Sequence, residues 1–465
     1  MMLPSPSWKG REVPLLLAGL CVLLAFLVLP GFRYPLVSDS AIYALTGESV
    51  WKTGTYALFG VPYATHLPLH AILSYPFAAV LGYGAGMKTA ALFMGWGGLL
   101  ATYALLAKPF GRTTALAASA FLTLHHGFVY EIMVASSDIT FLFLFLLSLA
   151  AFQRAAADAR LYLAAGLLAG LASLTRYNGA PLFPLFLFVI LFRGRHRRSP
   201  WFWWGMAAGG FLFSLWFLRN ALTFGNPLHS GYFALWPADD PLGARLVTNA
   251  LYYANPLHNI LFLFPFALLG LWKEGRKQWF LVFSMLAGWA LTSFWWTLGT
   301  RFALPGYPIL FGFAAFGLII AARALRPEFL RIPFVAVIVC GQLLGLGVYA
   351  YGSFNAWFDR TIGLIPPDLH LTTEGFHAWD LARNELNRIA EPGSRVLVQP
   401  DLHAATWRTG VFRPDMRVTS DAGASCPLYA ITPSPPAGAA ILFRTDAVPV
   451  TFLARLPCVP PLPTD

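Results

Sequence analysis

Apolar residues occur along this chain in long runs, separated by short polar turns and a few longer polar loops. An α-helix of about 20 apolar residues crosses the hydrocarbon core of a bilayer. The pattern predicts eleven membrane spans, several of them short, near residues 13–31, 85–107, 113–130, 139–153, 161–175, 179–193, 201–218, 258–272, 279–298, 302–322 and 332–351. The first run lacks a small-x-small cleavage motif, so we interpret it as a retained signal-anchor.

The composition supports the same class of protein. The chain is 57% hydrophobic and 11% charged, which leaves too little polar surface to cover a soluble globule of 465 residues. The expected fold class is therefore an all-α polytopic membrane protein. The net charge of +11 does not indicate nucleic-acid binding, because the basic residues lie between apolar runs and are not interleaved with aromatic residues on one polar face.

The basic residues predict the orientation in the membrane. If the N-terminus is cytoplasmic, every predicted inner segment carries two to four Lys or Arg, whereas the longer outer loops carry fewer. Lysine and arginine accumulate on the cytoplasmic side of membrane proteins. The pattern therefore predicts a cytoplasmic N-terminus and an extracytoplasmic C-terminal tail.

The tail differs from the rest in composition, which predicts two domains, 1–355 in the membrane and 356–465 outside it. A helix is predicted over Gly375–Ala390, and short strands are predicted from Arg395, Met416 and Ala440, so the tail is expected to be a small α/β domain. Cys426 and Cys458 lie in this tail, and their spacing leaves both a disulfide and two free thiols open.

Candidate chemistry lies at the predicted outer face. The external loop 32–84 carries Asp39, and ionisable side chains at the outer ends of later spans are Glu131, Asp138, Arg176, Arg219 and Arg301. A transporter more often holds such residues near the bilayer midplane, inside broken helices. Asp39 is a candidate general base, but Ser-Asp-Ser is also good helix-capping chemistry, and the residues alone leave both roles open.

Several short motifs, in this order, resemble the GT-C superfamily of polyprenyl-phosphate-sugar-dependent glycosyltransferases, in particular its protein O-mannosyltransferase-like and aminoarabinose transferase-like branch. The motifs are Ser38–Tyr43, Trp51–Tyr56, His66–Leu69, Ser137–Thr140, Leu174–Gly179, Leu218–Asn220 with Phe224–Pro227, and Arg301–Pro308. One position departs from the pattern, because Ser40 stands where the family commonly has a glutamate. The resemblance implies a GT-C fold over residues 10 to about 355.

The resemblance also implies roles for the acidic residues. A glycosyl phosphate already carries a good leaving group, so one base that takes the proton of the acceptor hydroxyl is sufficient. Asp39 is expected to be that base, and a single displacement inverts the anomeric carbon. Asp138 is expected to orient the acceptor or to form the second acidic position, and Glu131 is a weaker candidate for the same role.

The cations are expected to hold the donor. The leaving phosphate gains negative charge in the transition state, and guanidinium groups match phosphate geometry. Arg176, Arg219 and Arg301, with Tyr177, are therefore the expected donor-phosphate residues, although interfacial arginines also reach toward lipid headgroups. The expected partners are the polyprenyl-phosphate sugar, a lipid, glycan or protein acceptor and membrane lipids, without nucleic acid, at a bacterial cytoplasmic (inner) membrane.

No cofactor is expected. His66, His70, His125 and His126 match no metal-ligand spacing, so a divalent metal beside Asp39 is the less favoured alternative. The alternative function is a polytopic lipid or solute transporter or flippase without transferase activity. A hydrolase that uses Asp39 with Asp138, and a catalytically inactive subunit, are further alternatives that the sequence leaves open.

Overall fold

The structure is a computed structural model, and most of the described residues are helical. It describes residues 12–33, 36, 38–193, 199–231, 242–255, 260–292, 299–347, 385–397, 417–419, 428–432, 439–444 and 452–456. The α-helices are α1 Glu12–Val28, α2 Ser38–Thr53, α3 Leu69–Leu81, α4 Tyr83–Phe110, α5 Arg112–Thr123, α6 His126–Met133, α7 Ser137–Arg154, α8 Leu161–Thr175, α9 Leu182–Arg193, α10 Pro200–Phe224, α11 Leu242–Ala254, α12 Phe264–Glu274, α13 Trp279–Trp289, α14 Thr300–Ala303, α15 Tyr307–Ala324 and α16 Arg331–Gly345.

Several of these helices are suited to cross a membrane. Within the described residues, six helical segments are long and apolar enough, namely Glu12–Phe32, Tyr83–Phe110, Ser137–Arg154, Pro200–Phe224, Thr300–Ala324 and Glu328–Gly345. Four shorter apolar helices lie at Leu69–Leu81, Leu161–Thr175, Tyr177–Phe192 and Trp279–Trp289. The protein is a multi-pass helical membrane protein, and the number of eleven spans stays a prediction.

The structure corrects the span predicted near 113–130, because α5 ends at Thr123 and α6 begins at His126. His125 between them has an extended backbone, and its ring nitrogen accepts a hydrogen bond from the N–H of Phe128 at 3.2 Å. This contact satisfies one of the free N–H groups at the start of α6, as a helix cap does. The apolar pattern is continuous through this turn and therefore does not reveal it.

Close packing of small residues joins α8 to α10. Gly166 and Gly170 on α8 face Gly205 and Gly209 on α10, and each pair is four residues apart in a Gly-x-x-x-Gly motif. A Cβ atom at Gly209 would lie only 2.0 Å from the carbonyl oxygen of Gly166. Such contacts let the backbones of membrane helices approach each other closely.

The loop predicted over 32–84 is largely helical. After α2, a two-residue turn joins β1 Ala57–Leu58 to β2 Val61–Pro62, which pair antiparallel. The turn residues Phe59 and Gly60 both have positive φ, as the tight hairpin turn that suits twisted strands requires. The chain then enters α3, so α2 and α3 present the hairpin and the segment up to His66 at one end of the bundle.

The tail contributes a five-stranded sheet. Its strands are β3 Arg395–Leu397, β4 Arg417–Thr419, β5 Leu428–Thr432, β6 Ala440–Arg444 and β7 Phe452–Arg455, in the order β4-β3-β5-β7-β6. β3 pairs parallel with β4 and β5, and β7 pairs antiparallel with β5 and β6. Strands therefore occur where three were predicted, while the predicted helix before residue 385, together with Cys426 and Cys458, lies outside the described residues. The two-domain division stays a prediction.

Candidate active site

Asp39 lies in the first turn of α2, between the side chains of Arg301 and His66. Its Oδ2 is 3.6 Å from Nη1 of Arg301, and its Oδ1 is 3.5 Å from Nε2 of His66. The neighbouring Ser40 hydroxyl donates to the carbonyl oxygen of Val134, which ties the start of α2 to the turn before α7. The side chain of Asp39 is 36% exposed, so one side of the carboxylate stays open to a substrate.

The surroundings of Asp39 keep its carboxylate ionised. Burial by itself opposes the charged form, but His66, by its charge and its hydrogen bond, and then Arg301 and Arg176 outweigh that effect and hold the pKa of Asp39 well below its usual range. At neutral pH the carboxylate is therefore ionised.

A second acid, Asp138, lies in a buried network at the start of α7. Its Oδ2 accepts hydrogen bonds from Arg176 Nη1 at 3.0 Å and from the Ser136 hydroxyl at 2.8 Å. Ser136 also caps α7, because its oxygen accepts from the N–H of Asp138. Arg176 additionally donates to the Ser137 hydroxyl at 3.3 Å, which in turn accepts from the Tyr43 hydroxyl at 2.9 Å. This network connects α7 and the turn after α8 to α2, one helical turn beyond Asp39.

Glu131 on α6 is 4% exposed, and its Oε2 has no hydrogen-bond partner among the described residues. Burial raises the pKa of Glu131, and the charge of Asp138 raises it further, while Arg301, Ser136 and Arg176 offset only part of that rise. Glu131 therefore retains a proton more readily than an ordinary glutamate.

Arg176 and Arg301 share one aromatic neighbour. The Cζ atom of Arg301 lies 4.8 Å from the ring centre of Phe302, and that of Arg176 lies 5.5 Å from the same centre. Because both guanidinium groups also act on Asp39, the two cations, Asp39 and Asp138 form one cluster at this end of the bundle.

Arg219 and Tyr177 contact a different set of residues. Arg219 donates to the carbonyl oxygen of Tyr56 at 2.8 Å, and its guanidinium lies 5.2 Å from the ring of Trp216 and 5.1 Å from that of Phe224. The Tyr177 hydroxyl accepts from the indole N–H of Trp216 at 3.0 Å. No described contact joins either residue directly to Asp39.

Arg219 lines a largely apolar cavity of about 550 Å³ between the α2–α3 segment and helices α8 and α10. Ile72, Leu174, Leu215 and Trp216 are among the other lining residues. The Tyr56 ring, at the wall of this cavity, lies 6.1 Å from that of Tyr63. Since the Tyr63 hydroxyl is 2.6 Å from the His66 ring, residues 56–66 connect the cavity to the Asp39 cluster.

Comparison with known proteins identifies the fold. The sequence model of the dolichyl-phosphate-mannose-protein mannosyltransferase family matches residues 71–217. The apo crystal structure of ArnT from Cupriavidus metallidurans is 16% identical and matches 94% of this chain and 98% of ArnT, with a TM-score of 0.59. ArnT bound to undecaprenyl phosphate is 15% identical and matches 97% of this chain and 100% of ArnT, with a TM-score of 0.61. These similarities show that the chain has the GT-C fold.

A third structure with this GT-C fold comes from an archaeon. The oligosaccharyltransferase AglB from Archaeoglobus fulgidus, in complex with an inhibitory peptide and a dolichol phosphate, is 13% identical and matches 88% of this chain and 61% of AglB, with a TM-score of 0.55. No curated protein matches this chain by sequence. At these identities the structural similarity establishes the GT-C fold, which the sequence motifs indicated.

His66 also belongs to the cluster around Asp39, although the sequence analysis gave it no part in the reaction. Sequence reasoning weighed it as a metal ligand and as the first residue of the His66–Leu69 motif. The spacing of Tyr63 and His66, three residues apart just before α3, was the available signal for an interacting pair. In the described part of the chain, no group of three or more His, Cys, Asp or Glu side chains is arranged to hold a metal ion. The expectation that the protein needs no cofactor stays a prediction.

Proposed function

We propose that this protein is an inverting glycosyltransferase that moves a sugar from a polyprenyl-phosphate donor to an acceptor hydroxyl on the outer face of a bacterial cytoplasmic membrane. The observation that carries the proposal is the position of Asp39, an ionised and partly exposed carboxylate beside Arg301, in a chain with the GT-C fold.

Asp39 acts as the general base. Its open side receives the acceptor hydroxyl, and the carboxylate takes the hydroxyl proton as the oxygen attacks the anomeric carbon. The bond from that carbon to the phosphate breaks with its electron pair on the phosphate, so one displacement inverts the carbon. Asp138 and Glu131 lie behind this position and orient the acceptor through the network at the start of α7.

Arg301 and Arg176 stabilise the leaving phosphate. Both guanidinium groups lie in the Asp39 cluster, and fixed cations at a site of developing negative charge lower the barrier to reaction. As Arg301 turns toward the donor phosphate, the pKa of Asp39 rises, because the carboxylate loses part of its electrostatic support. Donor binding thereby makes the base stronger.

The cavity beside Arg219 is suited to the lipid part of the donor. Its apolar wall matches isoprenoid units, and Arg219 with Tyr177 supplies polar contacts at its edge. ArnT bound to undecaprenyl phosphate and AglB in complex with a dolichol phosphate are structures of the same fold. The donor proposed here is therefore a polyprenyl-phosphate hexose or pentose.

The test is transfer by the purified protein. Labelled polyprenyl-phosphate hexoses and pentoses are incubated with the protein and membrane extracts, and the anomeric configuration of the product is determined. We expect transfer with inversion by the wild type and a loss of at least about 10²-fold in kcat for Asp39→Asn. Glu48→Gln, which changes another acid on α2, serves as the control and retains activity. Transfer with retention, or an Asp39→Asn variant of normal rate, contradicts the proposal.

A further inference from the structure

The turn between α6 and α7 holds an alanine in a backbone conformation that usually requires glycine. Helix α6 ends in a Schellman motif. The N–H of Ser136 donates to the carbonyl oxygen of Glu131 at 2.9 Å, and the N–H of Ala135 donates to that of Ile132 at 3.0 Å. Ala135 has a φ of 55°, in the left-handed region that costs an L side chain free energy. Such a conformation persists only where the surrounding structure holds it.

Two buried side chains from other helices hold this turn. The Ser40 hydroxyl, on α2, donates to the carbonyl oxygen of Val134. On α3, Nε2 of His70 lies 3.2 Å from the carbonyl oxygen of Ala135. The last carbonyl groups of a helix have no partner inside that helix. The two side chains therefore satisfy successive acceptors at the end of α6.

The contacts of His70 fix which of its nitrogens faces the turn. A carbonyl oxygen can only accept a hydrogen bond, so Nε2 carries a hydrogen and donates to Ala135. The other nitrogen, Nδ1, lies 2.8 Å from the hydroxyl of Thr140 on α7. The Tyr43 ring packs edge-on against the imidazole, with the ring centres 4.8 Å apart. His70 therefore joins α3 both to the turn and to the first part of α7.

The turn carries the contacts of the second acid. The Ser136 hydroxyl donates to Oδ2 of Asp138 at 2.8 Å, and the same oxygen accepts from Arg176 at 3.0 Å. The charge of Arg176 acts in turn on Asp39, which directly precedes Ser40 in the chain. A shift of the turn would therefore move Asp138 and Arg176 relative to the proposed base.

Resting on the proposed function, we propose that Ser40 and His70 are positioning residues that hold the turn between α6 and α7. By holding it, they keep Asp138 and Arg176 at a fixed position relative to Asp39. Neither side chain takes or gives up a proton in this role. The proposal also accounts for a serine where the family commonly has a glutamate, because an ionised glutamate has no hydrogen to donate to a carbonyl oxygen.

Two amides at position 70 test the contact with Ala135. The amide nitrogen of glutamine reaches the position of Nε2, whereas that of asparagine reaches only the position of Nδ1. We expect His70→Gln to keep kcat for sugar transfer within about 3-fold of the wild type, and His70→Asn to lower it about 10-fold to 10²-fold. A kcat of His70→Asn equal to or above that of His70→Gln overturns the proposal.

The Michaelis constant for the donor separates this role from a general disturbance of the site. The described lining of the cavity beside Arg219 does not include the turn. We therefore expect KM for the donor to change less than about 3-fold in His70→Asn, while kcat falls. A variant in which KM for the donor rises and kcat is unchanged contradicts the positioning role.

Ser40→Ala tests the second contact. It removes the donor to Val134, and we expect kcat to fall about 10-fold with KM for the donor retained. Ser119→Ala is the matched control, because it removes another buried serine hydroxyl, which donates to Ala115 within α5. Equal kcat values of the two serine variants overturn the role of Ser40.

A glycine at position 135 tests whether the conformation of the turn is what matters. Glycine adopts a positive φ without strain, so Ala135→Gly favours the turn even where a donor is missing. We expect Ala135→Gly, added to Ser40→Ala, to raise kcat about 3-fold or more above that of Ser40→Ala alone. No recovery of kcat in the double variant contradicts control of the turn by Ser40.

The same experiments distinguish the two proposals. If the wild type transfers sugar and Asp39→Asn does not, but His70→Asn and Ser40→Ala behave as wild type, only the positioning role is wrong. If the wild type transfers no sugar from any donor tested, the proposed function and the positioning role that rests on it are both overturned. Thermal stability of each variant, measured in the same detergent, identifies a misfolded variant, and the other position then decides.

Discussion

As the proposed general base, the carboxylate of Asp39 has to be ionised to accept a proton and has to become basic enough to keep it during reaction. At the residue scale, its neighbours serve the first requirement, because His66, Arg301 and Arg176 hold the pKa of Asp39 low against the opposing effect of burial. In the proposed mechanism, the second requirement is met when a donor phosphate competes for Arg301. The proposal therefore makes the strength of the base depend on substrate occupancy.

Arg301→Gln tests this dependence. Removal of the guanidinium raises the pKa of Asp39 in the free protein, so we expect the acid limb of kcat/KM to move toward neutral pH. We also expect kcat to fall about 10²-fold to 10³-fold, because the leaving phosphate loses a cation. Arg323→Gln, at the opposite end of the same span, is the control. An unchanged pH profile and rate in Arg301→Gln would rule out this role.

Glu131→Gln tests the buried acid. The direction in which stability changes with pH follows from the raised pKa of Glu131. The folded protein keeps a proton on this group that the unfolded chain releases above about pH 4.5. The contribution of Glu131 to the stability of the wild type therefore falls as the pH rises from about 4.5 toward the raised pKa of Glu131 in the folded protein. We expect Tm of the variant to decline less than that of the wild type between pH 5 and pH 8. Parallel Tm profiles would show that Glu131 has no raised pKa.

At the scale of elements, α8 and α10 pack closely through glycines of both helices. This interface supports both sides of the proposed site, because α8 leads directly to Arg176 and α10 carries Trp216 and Arg219. Glycine is required at these contacts for lack of space, since no other residue lets the two backbones come so near. A small displacement of α10 would move one wall of the cavity and the turn that holds Arg176.

Two adjacent glycines of α10 provide a matched test. In Gly209→Ala, the new Cβ meets the backbone of Gly166, so we expect a loss of about 1–3 kcal/mol in stability and reduced activity. In Gly210→Ala, nothing lies within 4 Å of the new Cβ, and we expect stability within about 1 kcal/mol of the wild type. Thermal unfolding of the two purified variants measures the difference, and equal Tm values would contradict the packing.

At the scale of the whole molecule, the proposed site lies at one end of the helix bundle. The Asp138–Arg176 pair joins the start of α7 to the end of α8, whereas the turn between these two helices, with Arg154 and Arg160, lies at their other end. A basic turn is typical of the cytoplasmic side. This arrangement supports a site that opens to the outer face.

Cysteine labelling in intact cells tests the orientation. Val61→Cys, in the exposed hairpin beside the site, is expected to react with a membrane-impermeant maleimide. Ala157→Cys, in the exposed turn between α7 and α8, is expected to react only after the membrane is permeabilised. The four native cysteines are replaced by serine or alanine in both variants. Labelling in the reverse order would place the site on the cytoplasmic side.

Part of the site was predictable from the sequence, because lone acids and arginines at the ends of apolar runs can be recognised without knowing their neighbours. The pairing of Asp39 with Arg301 and of Asp138 with Arg176 was not predictable, since the partners lie far apart along the chain. His66 was missed for the same reason. The break at His125 was missed because a side-chain cap interrupts the helix without changing the apolar pattern.

The sequence by itself determined that the chain is a helical membrane protein and which superfamily its motifs resemble, and it predicted which side of the membrane carries the candidate chemistry. These properties follow from local composition, because bilayer thickness and charge asymmetry act on each segment separately. Only the tertiary structure decided which ionisable groups share one site, and it divided the predicted phosphate-binding residues between the Asp39 cluster and the apolar cavity. That division depends on how α2, α7, α8 and α10 pack together, and packing is a property of the assembled helices.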